Sequence, residues 1–136
     1  MSRTKCTAAQ LPEVVNSIFK EYLEDVSTSV KDDVIETGKA GRKLLKAHAS
    51  AAGIGGTRYI GSFTSTVEKN SFYVTSVTLH NKLYQLTHLL ENGHYIVYMG
   101  HPTGRRTREF PHFAPAEAEI NKLLEQKIVK TIKEKA

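Results

Sequence analysis

Leu86–Ala116 reads LTHLLENGHYIVYMGHPTGRRTREFPHFAPA, and the fold class follows from how this stretch changes its period. Leu83, Leu86, Leu89 and Leu90 stand at helical spacing and predict a short helix over 83–90. That helix runs into Glu91-Asn92-Gly93-His94, where Asn and Gly tolerate a positive φ. Residues 94–99, HYIVYM, read as a strand, expected to pair with 106–110 across the turn Gly100-His101-Pro102-Thr103-Gly104. Pro111-His112-Phe113-Ala114-Pro115-Ala116 then leads into a final helix over 114–135, with Ile120, Leu123, Leu124, Ile128 and Ile132 on one stripe. Pro115 at its entry and lysines at its end suit the two poles of a helix.

Upstream, the period is helical again. Leu11, Val14, Val15, Ile18, Tyr22, Val26, Val30 and Val34 recur in steps of about three and four. The pattern runs past Gly38 and Gly41 to Leu44 and Leu45, and Gly53, Gly55 and Gly56 stop it. This predicts one long helix over 11–52, or two helices with a joint near Thr37-Gly38. Steps of four drift around a helix, so the stripe wraps slowly. So long a helix exceeds what a small domain can cover, and Ile18, Tyr22, Val26 and Val30 are expected to face another subunit. Between the helical ends the reading is β: a loose alternation over 58–67, a turn at Glu68-Lys69-Asn70-Ser71, and a cleaner strand over 72–80. In that second strand Tyr73, Thr75, Val77 and Leu79 share a face. The expected architecture is α+β in a single domain: a flexible N-terminus over 1–10, a long N-terminal helix, a small antiparallel sheet with a short helix and a basic loop over 57–110, and a long C-terminal helix.

Composition narrows the function classes. The chain has 136 residues, 40% of them hydrophobic and 24% charged, which is ordinary for one folded domain. Its one cysteine, Cys6, has no intrachain partner, so a reducing compartment is expected. MSRTKCTAAQ lacks the apolar core of a signal peptide, and no segment is apolar enough for a membrane span, which points to the cytoplasm. The net charge is +5, and Arg105, Arg106 and Arg108 crowd four positions. Arginines on a glycine-hinged loop suit phosphates or an acidic protein surface.

Catalytic readings fare worse. Five of the six histidines (His80, His88, His94, His101, His112) fall close together, but without the short ligand spacing that zinc sites use. They read as surface and strand-edge residues, and neither a metal nor a cofactor is expected. Glu91 beside histidines invites a general-base role in a nuclease. The plainer expectation is that it accepts hydrogen bonds from loop backbone or meets a basic residue of a neighbouring subunit. The glycines at 53–56 follow a helix and precede a strand, the reverse of a phosphate loop.

The last 80 or so residues resemble the small tail-component family of long-tailed double-stranded DNA bacteriophages, encoded among the head–tail joining genes. The resemblance rests on Leu89-Leu90-Glu91-Asn92-Gly93-His94, a basic loop, and Pro111-His112-Phe113 with Ala114-Pro115-Ala116 before a long helix. Gly56-Thr57-Arg58-Tyr59 and then Ser62-Phe63 also look like the family's polar strand start, and the N-terminal helix agrees in kind, whereas HYIVYM is an insertion relative to the family's pattern. The resemblance implies a structural, non-enzymatic protein of the virion neck or tail, assembled in the host cytoplasm and acting in tail completion or head–tail joining. It implies rings of identical subunits, a hexamer being one candidate, that dock on tail-tube or tail-terminator and head connector proteins. Arg105, Arg106 and Arg108 would then meet a partner or transiently touch genomic DNA. Glu91, Asn92, Gly93, His94, Pro111, His112, Phe113 and Pro115 would form the base of the loop. The alternative expectation is a DNA- or RNA-binding module that uses the same arginines.

Overall fold

The computed structural model describes residues 5–71 and 73–136. Helix α1 (Leu11–Ala51) is continuous, 41 residues long, and therefore about 60 Å from end to end. Pro12 sits in its first turn, where its missing N–H costs nothing. Its far end closes on Gly53: the Gly53 amide donates to the Ser50 carbonyl at 3.1 Å and that of Ile54 to Ala49 at 3.2 Å, the two bonds of a Schellman stop.

The chain next makes one helical turn, α2 (Thr57–Ile60), and two antiparallel strands, β1 (Phe63–Asn70) and β2 (Thr75–Asn81). The expected strand over 58–67 is thus corrected at its start. Ile60 and Gly61 amides donate to the Gly56 and Thr57 carbonyls, so residues 57–61 wind rather than extend. The expected turn also moves outward. Glu68 lies in a register shift between Val67 and Lys69, and pairing continues to Asn70↔Thr75. Phe72, where the second strand was expected to begin, lies outside the described residues, as do residues 1–4 of the expected flexible terminus.

Helix α3 (Tyr84–Asn92) agrees with the short helix read from the leucines. A second, separate hairpin follows, β3 (Tyr95–Tyr98) with β4 (His101–Arg106). Here the expected five-residue turn is wrong. The strands reverse at Met99-Gly100, with φ of 48° and 81°, the two positive values of a type I′ turn. β4 begins at once, with Tyr98↔His101 and Val97↔Pro102 paired. Gly104, φ 72°, lies within β4, where the register shifts before Tyr95↔Arg106. Among the described residues there are therefore two two-stranded sheets where the sequence pattern suggests one. α4 (Phe113–Lys135) completes the α+β fold.

α4 runs antiparallel along α1. Pairs mark its course: His48 Nε2 with Glu119 Oε2 at 2.6 Å, Lys127 Nζ with Glu36 at 3.4 Å, and Lys135 Nζ with Asp25 at 3.0 Å. The β1–β2 hairpin lies against the same helix, and α1 makes room for it with glycine. A Cβ on Gly38 would stand 2.6 Å from Val77 Cγ1, and one on Gly41 would stand 2.7 Å from Leu79 Cδ1 and 3.1 Å from Ile120 Cδ1. These glycines are not a joint between two helices; they seat β2 and α4 on one. The core follows directly beyond them: Leu45, Ala49, Ile54, Tyr59, Phe63 and Ala116 are buried, with Leu79, Leu90, Phe110, Phe113 and Ile120 packed around them. Burial of a side chain such as Leu45 or Phe63 stabilises by roughly 1.5–3 kcal/mol. Among the described residues no helix is long and apolar enough to cross a membrane.

Candidate functional site

The residues that carry the family resemblance lie far apart in sequence and meet at one buried node. Glu91 leaves the last turn of α3 and turns its carboxylate onto the start of α4. Its Oε1 accepts from the His112 amide at 2.6 Å and from the Phe113 amide at 2.5 Å. An α-helix opens with unpaired N–H groups and a partial positive charge, so a carboxylate there satisfies both needs. His112, the residue before the helix, makes no side-chain cap of its own; Glu91 supplies the cap from across the fold.

His112 is fully buried, which corrects the expectation of a surface histidine. Its Nδ1 lies 2.8 Å from Glu91 Oε1 and 2.7 Å from the Phe110 carbonyl oxygen. Both of those atoms are acceptors, so Nδ1 carries the hydrogen and shares it between them. Nε2, the bare ring nitrogen, lies 2.8 Å from the Tyr59 hydroxyl, and that hydroxyl oxygen is also within hydrogen-bond distance of Thr87 Oγ1 at 3.2 Å. Every polar atom of the imidazole is thus engaged, which is what burial of a polar ring requires. The ring stands edge-on to Tyr59 and Phe63, with centroids 5.6 and 5.9 Å away. Burial pushes the Tyr59 phenol above its ordinary pKa; the hydrogen bond with Thr87 works against the rise, and the Glu91 carboxylate adds to it.

Tyr59 is held in turn by Asn81, the last residue of β2. Asn81 Nδ2 donates to the Tyr59 carbonyl at 2.8 Å, and its Oδ1 accepts from the Leu83 amide at 2.8 Å. One buried amide therefore joins α2, β2 and the entry to α3. Tyr59, Thr87 and Asn81 escape a reading of the sequence, because nothing in hydrophobic period distinguishes them. The nearest signal is Gly56-Thr57-Arg58-Tyr59, which the resemblance includes, though as a strand start.

The other expected loop-base residues hold the second hairpin to this node. Gly93, φ 70°, ends α3; a Cβ there would stand 2.7 Å from the Thr107 carbonyl oxygen, so only glycine fits. The His94 amide donates to Thr107 Oγ1 at 2.9 Å, and the Thr107 amide donates to the His94 carbonyl at 2.8 Å. Asn92 contributes its carbonyl, which accepts from Arg106 Nη2 at 3.1 Å. Pro111 is exposed ahead of His112, and Pro115 lies in the first turn of α4. HYIVYM is therefore an extension mounted on the clasped base, not a break in it.

The arginines are not on a turn tip. Arg105 and Arg106 belong to β4, and Arg108 follows it. The Arg106 guanidinium lies 4.9 Å from the Tyr95 ring centroid, and that of Arg108 lies 5.2 Å from that of Phe110; both are within cation–π range. Among the described residues none of the three pairs with a carboxylate.

The expected oligomer face is divided. Ile18 is 53% exposed and Tyr22 40%, whereas Val26 and Val30 are half-buried beside the last turns of α4. Among the described residues no three metal-ligating side chains converge. A cleft of about 430 Å³ opens between α1, β2 and α4, lined chiefly by Val34, Val77, Leu79, Ile120 and Leu124. The Thr37 hydroxyl, which lines it, is buried without a hydrogen-bond partner. Chemically, then, the node positions; its carboxylate and imidazole are taken up in holding three segments together. Comparison of the chain with known protein families, with curated proteins and with solved structures yields no match.

Proposed function

We propose that this chain is a structural component of a bacteriophage neck or tail, acting in tail completion or head–tail joining, and that it transforms no substrate. The observation that carries the proposal is the apolar surface left bare on an otherwise well-clasped domain. Leu11, Ile18, Phe19, Tyr22 and Leu23 on α1 are exposed, as are Tyr95, Val97, Tyr98 and Met99 on the second hairpin. Exposed apolar surface of this extent, on two elements, marks sites of association. The node of Glu91 and His112 supports the same reading, because it gives the resembling blocks a common structural purpose: a rigid mount for a projecting hairpin. Ring-like self-assembly and docking on tail-tube, tail-terminator or connector proteins follow from that reading. A phage carrying an early stop in the gene should accumulate unjoined heads and tails; normal infectious particles without the chain would end the proposal.

A second reading has its own observation. Residues 94–108 contain three arginines and no acid, and a DNA- or RNA-binding module would use Arg105, Arg106 and Arg108 on phosphates. Binding to duplex DNA that weakens steeply with salt, and disappears in the triple Arg→Ala variant, would favour it.

A further inference from the structure

The two bare apolar surfaces are opposite in charge and lie at opposite ends of the molecule. α4 ends beside Asp25, held there by Lys135. Residues 11–24 of α1 thus continue beyond it as an arm about 20 Å long. On the arm Leu11, Val15, Ile18, Phe19, Tyr22 and Leu23 recur at helical spacing and share one face, and all are exposed. The arm's charges are Glu13, Glu21 and Glu24 against the single Lys20. Among the described residues none of these four makes an ion pair.

The β3–β4 hairpin is the complement. Met99 is 82% exposed and Tyr98 68%, and among the described residues no carboxylate pairs with the flanking arginines. Its base is tied to α3 and to the residues before α4, beside the core around Leu45 and Ala49 at the other end of α1. From Leu45 back to Leu23 the helix runs about 33 Å, whereas β3 has four residues and spans about 13 Å. A hairpin of that length does not reach the arm of its own chain.

We propose that the acidic apolar arm of one copy docks on the basic apolar hairpin of the next. The partner is a second copy of this chain, because it brings both complements, and among the described residues neither set of charges is paired within its own fold. The arm's acids lie off its apolar stripe, so they act through the arm's net charge, which is opposite to the hairpin's and favours the encounter of the two apolar surfaces. Two different surfaces meet in it, so the contact is heterologous: it propagates and closes into a ring if the rotation permits. This inference rests on the self-assembly reading above and adds which surfaces mate.

The test uses the full chain in a Cys6→Ser background, with one variant carrying Glu13→Arg, Glu21→Arg and Glu24→Arg and another carrying Arg105→Glu, Arg106→Glu and Arg108→Glu. Light scattering should show the parent assembling beyond a dimer. Each variant alone should need at least about tenfold more protein to do so, because the two mating surfaces then carry net charges of the same sign. An equimolar mixture of the two should assemble as the parent does. A hairpin-reversed chain that assembles normally, or a mixture that stays dissociated, overturns the pairing while self-assembly stands. A parent that is monomeric at every concentration overturns self-assembly itself. Covalent trapping gives an independent readout. Phe19→Cys with Val97→Cys in one chain should oxidise to a ladder of trimers and longer species, and neither cysteine alone should give a dimer. A dimer from Phe19→Cys alone would mean that arms pair with arms, which overturns the proposal.

Discussion

Glu91 caps a helix that begins 22 residues later: its carboxylate accepts from the His112 and Phe113 amides and fastens the end of α3 to the start of α4. The same oxygen meets His112 Nδ1 at 2.8 Å, so one carboxylate closes the loop that carries the β3–β4 hairpin. A charged acceptor at a mostly buried site contributes more than a surface ion pair does.

Glu91→Ala should therefore lower stability by roughly 2–3 kcal/mol, since it leaves the part-buried His112 and Phe113 amides unpaired and takes one of two acceptors from the His112 imidazole. Glu91→Gln keeps an acceptor oxygen and should cost less than half as much. Urea denaturation followed by circular dichroism checks both. An alanine variant within about 0.5 kcal/mol of wild type, the range of ordinary surface changes, would remove the clasp from the account.

Gly38→Ala should destabilise, against the usual helix trend. In an exposed helix alanine is favoured over glycine by about 1 kcal/mol. Here the new methyl would stand 2.6 Å from Val77 Cγ1, and a β-branched side chain has few rotamers to yield with. A net loss of about 1–3 kcal/mol is expected. The clash has a named partner, so Val77→Ala should recover part of the loss. A double-mutant cycle with no coupling between the two positions would refute the close approach.

Tyr59 makes stability depend on alkaline pH. Its pKa is raised in the folded chain, first by burial, so the folded state holds the proton more tightly than the unfolded state. The contribution is then fully present below the unfolded value, about 10, and is lost as pH rises toward the folded value. Denaturation between pH 8 and 11 should show stability falling at the upper end. Subtracting the Tyr59→Phe curve removes the lysine and remaining tyrosine background, and a difference that stays flat across that range would count against this assignment.

Thr37 offers the opposite sign. Its hydroxyl is buried and unpartnered, so Thr37→Val, of nearly the same shape, removes a desolvation cost without opening a cavity. A gain of about 1 kcal/mol is expected. A loss in the same urea titration would mean that the hydroxyl has a partner in solution.

Local pattern alone placed the three longer helical regions and the α+β class. The stripe from Leu11, the glycine stop after Ala52, the leucines of α3 and the stripe through Ile120 are all properties of neighbours a turn apart, and period records them directly. The hairpins were legible in outline and misread in detail. Residues 57–61 wound into a turn, and Met99-Gly100 reversed the chain in two residues, because turn geometry depends on a few φ values that neighbouring composition only suggests. Only the tertiary structure decided what Gly38 and Gly41 are for, that two sheets form instead of one, and that Glu91, His112, Tyr59 and Asn81 share a node. Close approach and buried hydrogen bonding join residues 21 to 53 positions apart. No pattern along the chain encodes such distances; they appear once the packed helices have brought the partners together.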